Sequence, residues 1–71
     1  MNRYEQRRRL LERFKQAEAI LRERETTYLA CVRRHGAVPE RELAYADVVA
    51  ARQAAERIFA DLQNCDLPPP L

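Results

Sequence analysis

A single break near the middle of the chain limits what it can fold into. Gly36 is the only glycine of the 71 residues, and Pro39 is the only proline before the run at 68–70. Glycine can adopt the left-handed conformation that closes a helix, and proline suits the first turn of the next one. Because short linkers usually join antiparallel helices, the sequence predicts a helical hairpin with its turn at residues 35–39 and a left-handed Gly36.

The residues before the break have the apolar spacing of a coiled-coil helix. From Leu10 onwards the apolar positions follow in steps of three, four or seven, and Arg24 fills the missing place in this heptad seam. The seam consists of Leu10, Phe14, Ala17, Leu21, Tyr28 and Cys31. Residues 1–9 are polar, and arginines 7–9 are unfavourable near the positive end of a helix dipole. We therefore expect a frayed, basic N-terminus over residues 1–9.

The residues after the break contain a complete seam, which predicts a helix from about Pro39 to Gln63. Its members are Ala44, Val48, Ala51, Ala55, Ile58, Leu62 and Cys65. Packed against the first seam, this helix gives an all-α, antiparallel, coiled-coil-like hairpin over residues 10–63. The prolines at 68–70 cannot continue a helix, so residues 64–71 are expected to form an extended tail.

A second apolar stripe lies beside the seam of the second helix. Tyr45, Val49 and Phe59 form it, and Arg52 and Glu56 interrupt it. Two helices cannot cover both stripes, and an exposed apolar surface on the order of several hundred Å² usually marks an interface. In a chain this small a core supplies roughly 3–5 kcal/mol, so we expect a protein partner or homodimerisation to complete the hairpin. The alternative is that the aromatic side chains only wrap the hairpin edge.

No group of residues is typical of a catalytic, metal or cofactor site. His35 suits a helix end, and Cys31 with His35 lacks the two further ligands of a tetrahedral metal site. In the hairpin Cys31 and Cys65 lie about 30 Å apart along the helices, too far for a disulfide, so both thiols should be free. We expect no enzymatic activity and no cofactor. Without an apolar run of membrane length or a secretory signal, the chain is expected to be cytoplasmic.

Three parts of the second half form a recognisable pattern. They are the turn Gly36-Ala37-Val38-Pro39-Glu40, the aromatic Tyr45 and the run Gln53-Ala54-Ala55-Glu56-Arg57-Ile58-Phe59. The pattern resembles the small helical-hairpin co-chaperones of the type III secretion needle subunit in bacteria. That resemblance implies a non-enzymatic adaptor whose hairpin packs against a helical-repeat partner chaperone, and the needle subunit is held mainly by that partner. It places Tyr45, Val49, Ala54 and Phe59 at the partner surface.

Two other classes of function stay open. A homodimeric four-helix-bundle regulator explains a wide apolar face equally well. A nucleic-acid or nucleoid-associated hairpin would bind through the N-terminus, where residues 1–15 carry six basic and two acidic side chains. Its candidate contacts are Arg7, Arg8, Arg9 and Arg13. Glu5 and Glu12 interrupt these arginines and no aromatic row accompanies them, so nucleic acid is less expected than a protein partner.

Overall fold

The computed structural model describes residues 2–66 and consists of two α-helices. Helix α1 spans Arg3–Arg33 and helix α2 spans Val38–Asp66. The ring of Phe14 lies against that of Phe59, and the ring of Tyr28 lies against that of Tyr45, so the two helices run in opposite directions. The predicted all-α, antiparallel hairpin is confirmed.

Helix α1 begins at Arg3, so the segment expected to be frayed is helical from that residue onwards. Asn2 has extended backbone and caps the helix, because its side-chain oxygen accepts a hydrogen bond of 2.8 Å from the backbone N–H of Glu5. Such a cap contributes about 1 kcal/mol, and the carboxylate of Glu5 in the first turn suits the helix dipole. The predicted start at Leu10 is wrong because this cap offsets the unfavourable arginines 7–9.

Helix α1 ends in a Schellman motif. The N–H of Gly36 donates to the carbonyl of Cys31 at 2.9 Å, and the N–H of His35 donates to the carbonyl of Val32 at 3.1 Å. The left-handed residue of this motif is His35, with φ of 56°, and Gly36 does not have positive φ. Histidine is among the non-glycine residues that tolerate this region best. The prediction of a left-handed Gly36 is therefore wrong by one residue.

Gly36 is needed for a different reason, which is the closeness of Cys31. A Cβ added at Gly36 would lie 2.5 Å from the Sγ of Cys31 and 3.2 Å from its carbonyl oxygen. Cys31 is itself 2% exposed, so its thiol has little room to move away. The missing side chain at position 36 thus lets the turn close directly over the end of the core.

Helix α2 starts immediately after the turn. The carbonyl of Ala37 accepts the first helical hydrogen bond, from the N–H of Arg41 at 3.0 Å. Pro39 lies in the first turn, where backbone N–H groups have no partner within the helix. The carboxylate of Glu40, also in this turn, pairs with the guanidinium of Arg34 at the end of α1. Both side chains are largely exposed, so the ion pair adds little stability.

Helix α2 extends to Asp66, beyond the predicted end at Gln63. Residues 64–66, which the sequence interpretation places in the extended tail, are helical, and the rest of that tail, residues 67–71, lies outside the described residues. Cys65 is half-buried and continues the seam past Leu62. The apolar contact at Cys65 explains why the helix runs on to this point.

The core is the contact between the two seams. Every predicted seam position of α2 is buried or half-buried, as are the predicted apolar positions of α1. Arg24 is the exception, because it is exposed while Glu25 is half-buried. Position 24 continues the alternating steps of four and three between Leu21 and Tyr28, so the half-buried Glu25 lies beside the predicted seam position and not in it.

Candidate protein-binding face

Two pairs of aromatic rings bridge the helices on one side of the hairpin. The ring centroids of Phe14 and Phe59 are 5.7 Å apart, with 42° between the ring planes. Those of Tyr28 and Tyr45 are 5.6 Å apart, with 56° between the planes. These separations and tilts are typical of favourable aromatic contacts. We call the two pairs the Phe rung and the Tyr rung.

The spacing between the rungs is the same on both helices. Two heptads separate Phe14 from Tyr28 on α1, and two heptads separate Tyr45 from Phe59 on α2. At 1.5 Å per residue this corresponds to about 21 Å along the helix axis. Because a heptad repeat returns to the same side of a coiled-coil helix, both rungs lie on one side of the hairpin.

The rungs belong to a larger apolar surface. Leu11 and Val32 flank them on α1, and Val49 lies one turn beyond Tyr45 on α2. We define the aromatic face as Leu11, Phe14, Tyr28, Val32, Tyr45, Val49 and Phe59. Tyr45 is 55% exposed and Phe59 is 47% exposed, so each ring touches the other helix with one side and solvent with the other. A partner that covered this surface would gain about 25 cal/mol for each Å² of apolar area removed from water.

Charged side chains divide the aromatic face midway between the rungs. Glu18, Arg52 and Glu56 line an open depression of about 190 Å³ that extends to the Phe rung. Glu25 is half-buried and lies one heptad from Glu18, on the same side of α1. We define the charged belt as Glu18, Glu25, Arg52 and Glu56. Arg52 forms no ion pair with any residue of the described range 2–66, so its charge is available to a partner.

The structure brings together three of the four predicted partner-binding residues. The aromatic face contains Tyr45, Val49 and Phe59, and Val49 is half-buried there. Ala54 is exposed but lies elsewhere. It is nine residues from Tyr45, which at about 100° per residue places it on the opposite side of α2.

Residues of α1 complete the face, and the sequence interpretation does not include them. Heptad spacing assigns Phe14 and Tyr28 to the seam alone, although each also forms one half of a rung. A signal for them is present in the heptad positions. On α1 the positions 11, 18, 25 and 32 read Leu, Glu, Glu, Val, and on α2 the positions 38, 45, 52 and 59 read Val, Tyr, Arg, Phe. The α1 series has two glutamates between apolar ends, and the α2 series has one charged residue, Arg52, between two aromatic ones.

The basic N-terminus does not form a single cationic surface. Arg7, Arg8 and Arg9 are successive residues of α1, so their side chains leave the helix about 100° apart. Arg8 and Arg9 line a depression together with Glu5 and Glu12, whose carboxylates offset them. Arg13 follows Arg9 by one turn and is exposed. Helical structure therefore disperses the arginines that the nucleic-acid alternative needs.

The described residues do not gather the groups of a metal site. Over residues 2–66, no three His, Cys, Asp or Glu side chains lie close enough together to hold a metal ion. Cys31 and Cys65 are free thiols, as predicted, and His35 is exposed at the turn. Within the same range, neither helix has an apolar stretch long enough to span a membrane.

Comparison with known proteins gives no match. No protein-family model, no curated protein and no solved structure matches this chain. The three stretches on which the expected resemblance depends lie at the turn and along α2. The stretch from Gly36 to Glu40 forms the turn and the first residues of α2, Tyr45 belongs to the Tyr rung, and the run from Gln53 to Phe59 contributes to both the seam and the Phe rung.

Proposed function

We propose that this chain is a protein-binding hairpin that holds a helical partner against its aromatic face. It acts without catalysis, in the cytoplasm, as a co-chaperone of the type III secretion needle. The observation that carries the binding function is the half exposure of Tyr45 and Phe59 on one face of the hairpin. The needle role follows from the resemblance in the turn, in Tyr45 and in the run at 53–59.

The small size of the core supports a partner. Over residues 2–66, four side chains are buried, namely Cys31, Val48, Ala55 and Leu62. Three of the four are small or medium in size, so the seam removes little apolar area from water. A partner that binds the folded hairpin and not the unfolded chain adds stability by mass action. This explains why a hairpin with so modest a core carries half-exposed aromatic rings.

The spacing of the rungs defines the chemistry of the partner. A helix that lies along the groove between α1 and α2 must reach about 21 Å to contact both rungs, which requires about four turns. Three of the four charges in the belt are acidic. The best partner helix therefore carries apolar or aromatic side chains at each end of this span and a basic side chain between them.

The distribution of charge at the N-terminus favours a protein partner over a nucleic-acid partner. Glu5 and Glu12 lie beside Arg8 and Arg9 in one depression, and their carboxylates offset the two arginines. Binding to single strands combines a positively charged groove with a row of aromatic rings that stack on bases. The ring of Tyr4 is 73% exposed and lines a depression with Arg7 and Arg8, whereas Tyr45 and Phe59 are paired with rings of the other helix. A single ring beside two arginines is not such a row.

Truncation of the exposed rings tests the proposed function. Tyr45→Ala and Phe59→Ala should each weaken binding of a partner captured from the source cell by about 30-fold, and the double variant should weaken it further, because aromatic residues at an interface centre each contribute about 2 kcal/mol. The matched control is Leu43→Ala, since Leu43 is 70% exposed and lies away from the face. Affinity is then measured with each captured protein after purification.

Two results would contradict the proposal. If the double variant and Leu43→Ala bind the purified partner as tightly as the parent chain, the aromatic face is not the binding surface. If the parent recovers proteins unrelated to a needle subunit or its chaperones, the co-chaperone role is wrong, even where binding through the face holds.

A further inference from the structure

We propose that a second copy of this chain covers the aromatic face when no other partner is bound. The two copies pack face to face with their turns at the same end, so that α1 of each copy lies on α2 of the other. This inference rests on the proposed function in one respect, because it uses the same binding face. It adds the identity of the occupant and its orientation.

The exposed area is sufficient for such a dimer. The chain has an accessible surface of 6012 Å² and a mass of 8.4 kDa. A compact monomer of that mass exposes about 4,600 Å², so the hairpin exposes roughly 1,400 Å² more. A standard stable interface buries about 800 Å² on each partner. The surplus exposed by the elongated hairpin therefore exceeds the area that one partner buries in such an interface.

Helix α2 itself has the pattern that the face requires. Tyr45, Arg52 and Phe59 follow each other at heptad spacing, so α2 carries an aromatic ring at each end of the span and a basic side chain between them. All three are exposed in the single hairpin. The chain thus contains both α1, with Glu18 and Glu25 between Leu11 and Val32, and a helix that complements it, which is the self-complementarity of a two-fold symmetric interface.

The charged belt selects the orientation of the two copies. Leu21 lies midway between the rungs on α1 and Arg52 lies midway on α2, so the two are level with each other. With the turns together, Arg52 of each copy lies between Glu18 and Glu25 of the other. With the turns at opposite ends, Arg52 would face Arg52, and Glu18 would face Glu25. Like charges placed opposite each other oppose association, so the first orientation is favoured.

Glu56 adds a third acidic side chain to the charged belt, so the attraction between the two copies depends on Arg52. Glu56 lies one turn from Arg52 on α2 and lines the same depression as Glu18. In the dimer it comes near Glu18 of the other copy, where it adds a further acidic group. Arg52 is the single basic member of the belt, and its replacement by an acid leaves only negative charges facing each other.

Charge reversal in separate copies tests the arrangement. We expect sedimentation equilibrium of the full chain to give a dimer, and Arg52→Glu or Glu25→Arg to weaken self-association at least about tenfold each. When the two variants are mixed, the glutamate introduced in one copy meets the arginine introduced in the other, and the remaining native pair of Arg52 and Glu25 also meets. The mixture should recover dimerisation to within about threefold of the parent. The matched control, Arg57→Glu, makes the same charge change on the far side of α2 and should dimerise as the parent does.

The outcomes separate this inference from the proposed function. A parent chain that stays monomeric at its highest soluble concentration overturns the inference, and so does a dimer whose variants fail to recover on mixing. Partner capture through Tyr45 and Phe59 by such a monomer would leave the proposed function standing. A dimer with recovery on mixing, and with no captured partner, supports the inference and counts against the co-chaperone role.

Discussion

Two heptad series run side by side along α2, and they differ in what covers them. The seam is covered by α1, and three of its seven members are alanine, with Val48 and Leu62 as its larger buried members. The other series, at positions 38, 45, 52 and 59, contains two aromatic rings and stays about half exposed. The two aromatic side chains of this helix thus lie at the edge of the contact that closes the hairpin.

This difference separates folding from binding within one helix. Small seam residues allow the two helices to approach closely, but they remove little apolar area from water. The aromatic rings offer more area, and the hairpin covers only part of it. Substitutions in the seam should therefore act on folding, whereas substitutions on the aromatic face should act mainly on association.

The largest expected effect is on the seam. Val48→Asp should unfold the chain, because Val48 is 5% exposed and a buried, unpaired carboxylate costs several kcal/mol, against a stability of about 3–5 kcal/mol. Helical circular dichroism and thermal melting measure the loss. The control is Ala50→Asp, which introduces the same residue at an exposed position two residues along α2.

The control variant should keep most of its helical signal, since an exposed aspartate in a helix costs about 0.5–0.7 kcal/mol relative to alanine. Equal melting temperatures for Val48→Asp and the parent would mean that α1 does not cover this series. The distinction between seam and face would then have to be reversed.

A smaller effect is expected where the seam meets the turn. Gly36→Ala should destabilise the hairpin by about 1–3 kcal/mol, because the new methyl group would overlap the buried thiol of Cys31. Urea unfolding gives the free energy. The same substitution in a Cys31→Ala background should cost less, since the Sγ atom is gone and the carbonyl oxygen of residue 31 remains.

The sign of this effect is informative. Where a backbone conformation accepts alanine without strain, replacing glycine stabilises a protein by about 0.4–1 kcal/mol through the unfolded state. A stabilised Gly36→Ala variant would therefore show that the turn opens away from Cys31. The end of the seam would then be looser than the rest of it.

Much of the fold could be predicted from periodicity and one break. The two seams and the turn required only apolar spacing and the positions of Gly36 and Pro39. Helix ends were harder, because they depend on single hydrogen bonds such as the one from Glu5 to the side chain of Asn2. The left-handed residue was misplaced because glycine has two uses, positive φ and close approach, and spacing alone does not distinguish them.

The candidate site could be predicted only in part. Tyr45, Val49 and Phe59 were identified from one helix, since a stripe beside a complete seam has to lie at its edge. The roles of Phe14 and Tyr28 in the aromatic face were missed, because a residue at the border of the seam belongs to both the seam and the face. Ala54 was included through the resemblance alone, and the helix period already places it on the side of α2 opposite Tyr45.

The smallest expected effect tests whether the rungs also belong to the fold. Phe14→Leu and Phe59→Leu should be coupled by about 0.5–1.5 kcal/mol in a double-mutant cycle, because aromatic pairs at this separation contribute that much beyond the area they bury. Urea unfolding is measured on dilute protein, so that association does not contribute. Phe14→Leu combined with Leu43→Ala is the control pair. Its effects should add without coupling, since Leu43 is 70% exposed and lies on another side of α2.

The coupling energy between Phe14 and Phe59 shows whether the rings contribute to folding as well as to binding. Coupling in the expected range means that each ring stabilises the hairpin with one side and leaves the other side for a partner. Coupling near zero would assign the rings to binding alone and would strengthen the contrast with Val48. If instead Phe59→Leu alone unfolds the dilute chain, the Phe rung is part of the core. The apolar area available to a partner or a second copy would then be reduced to the Tyr rung and its neighbours.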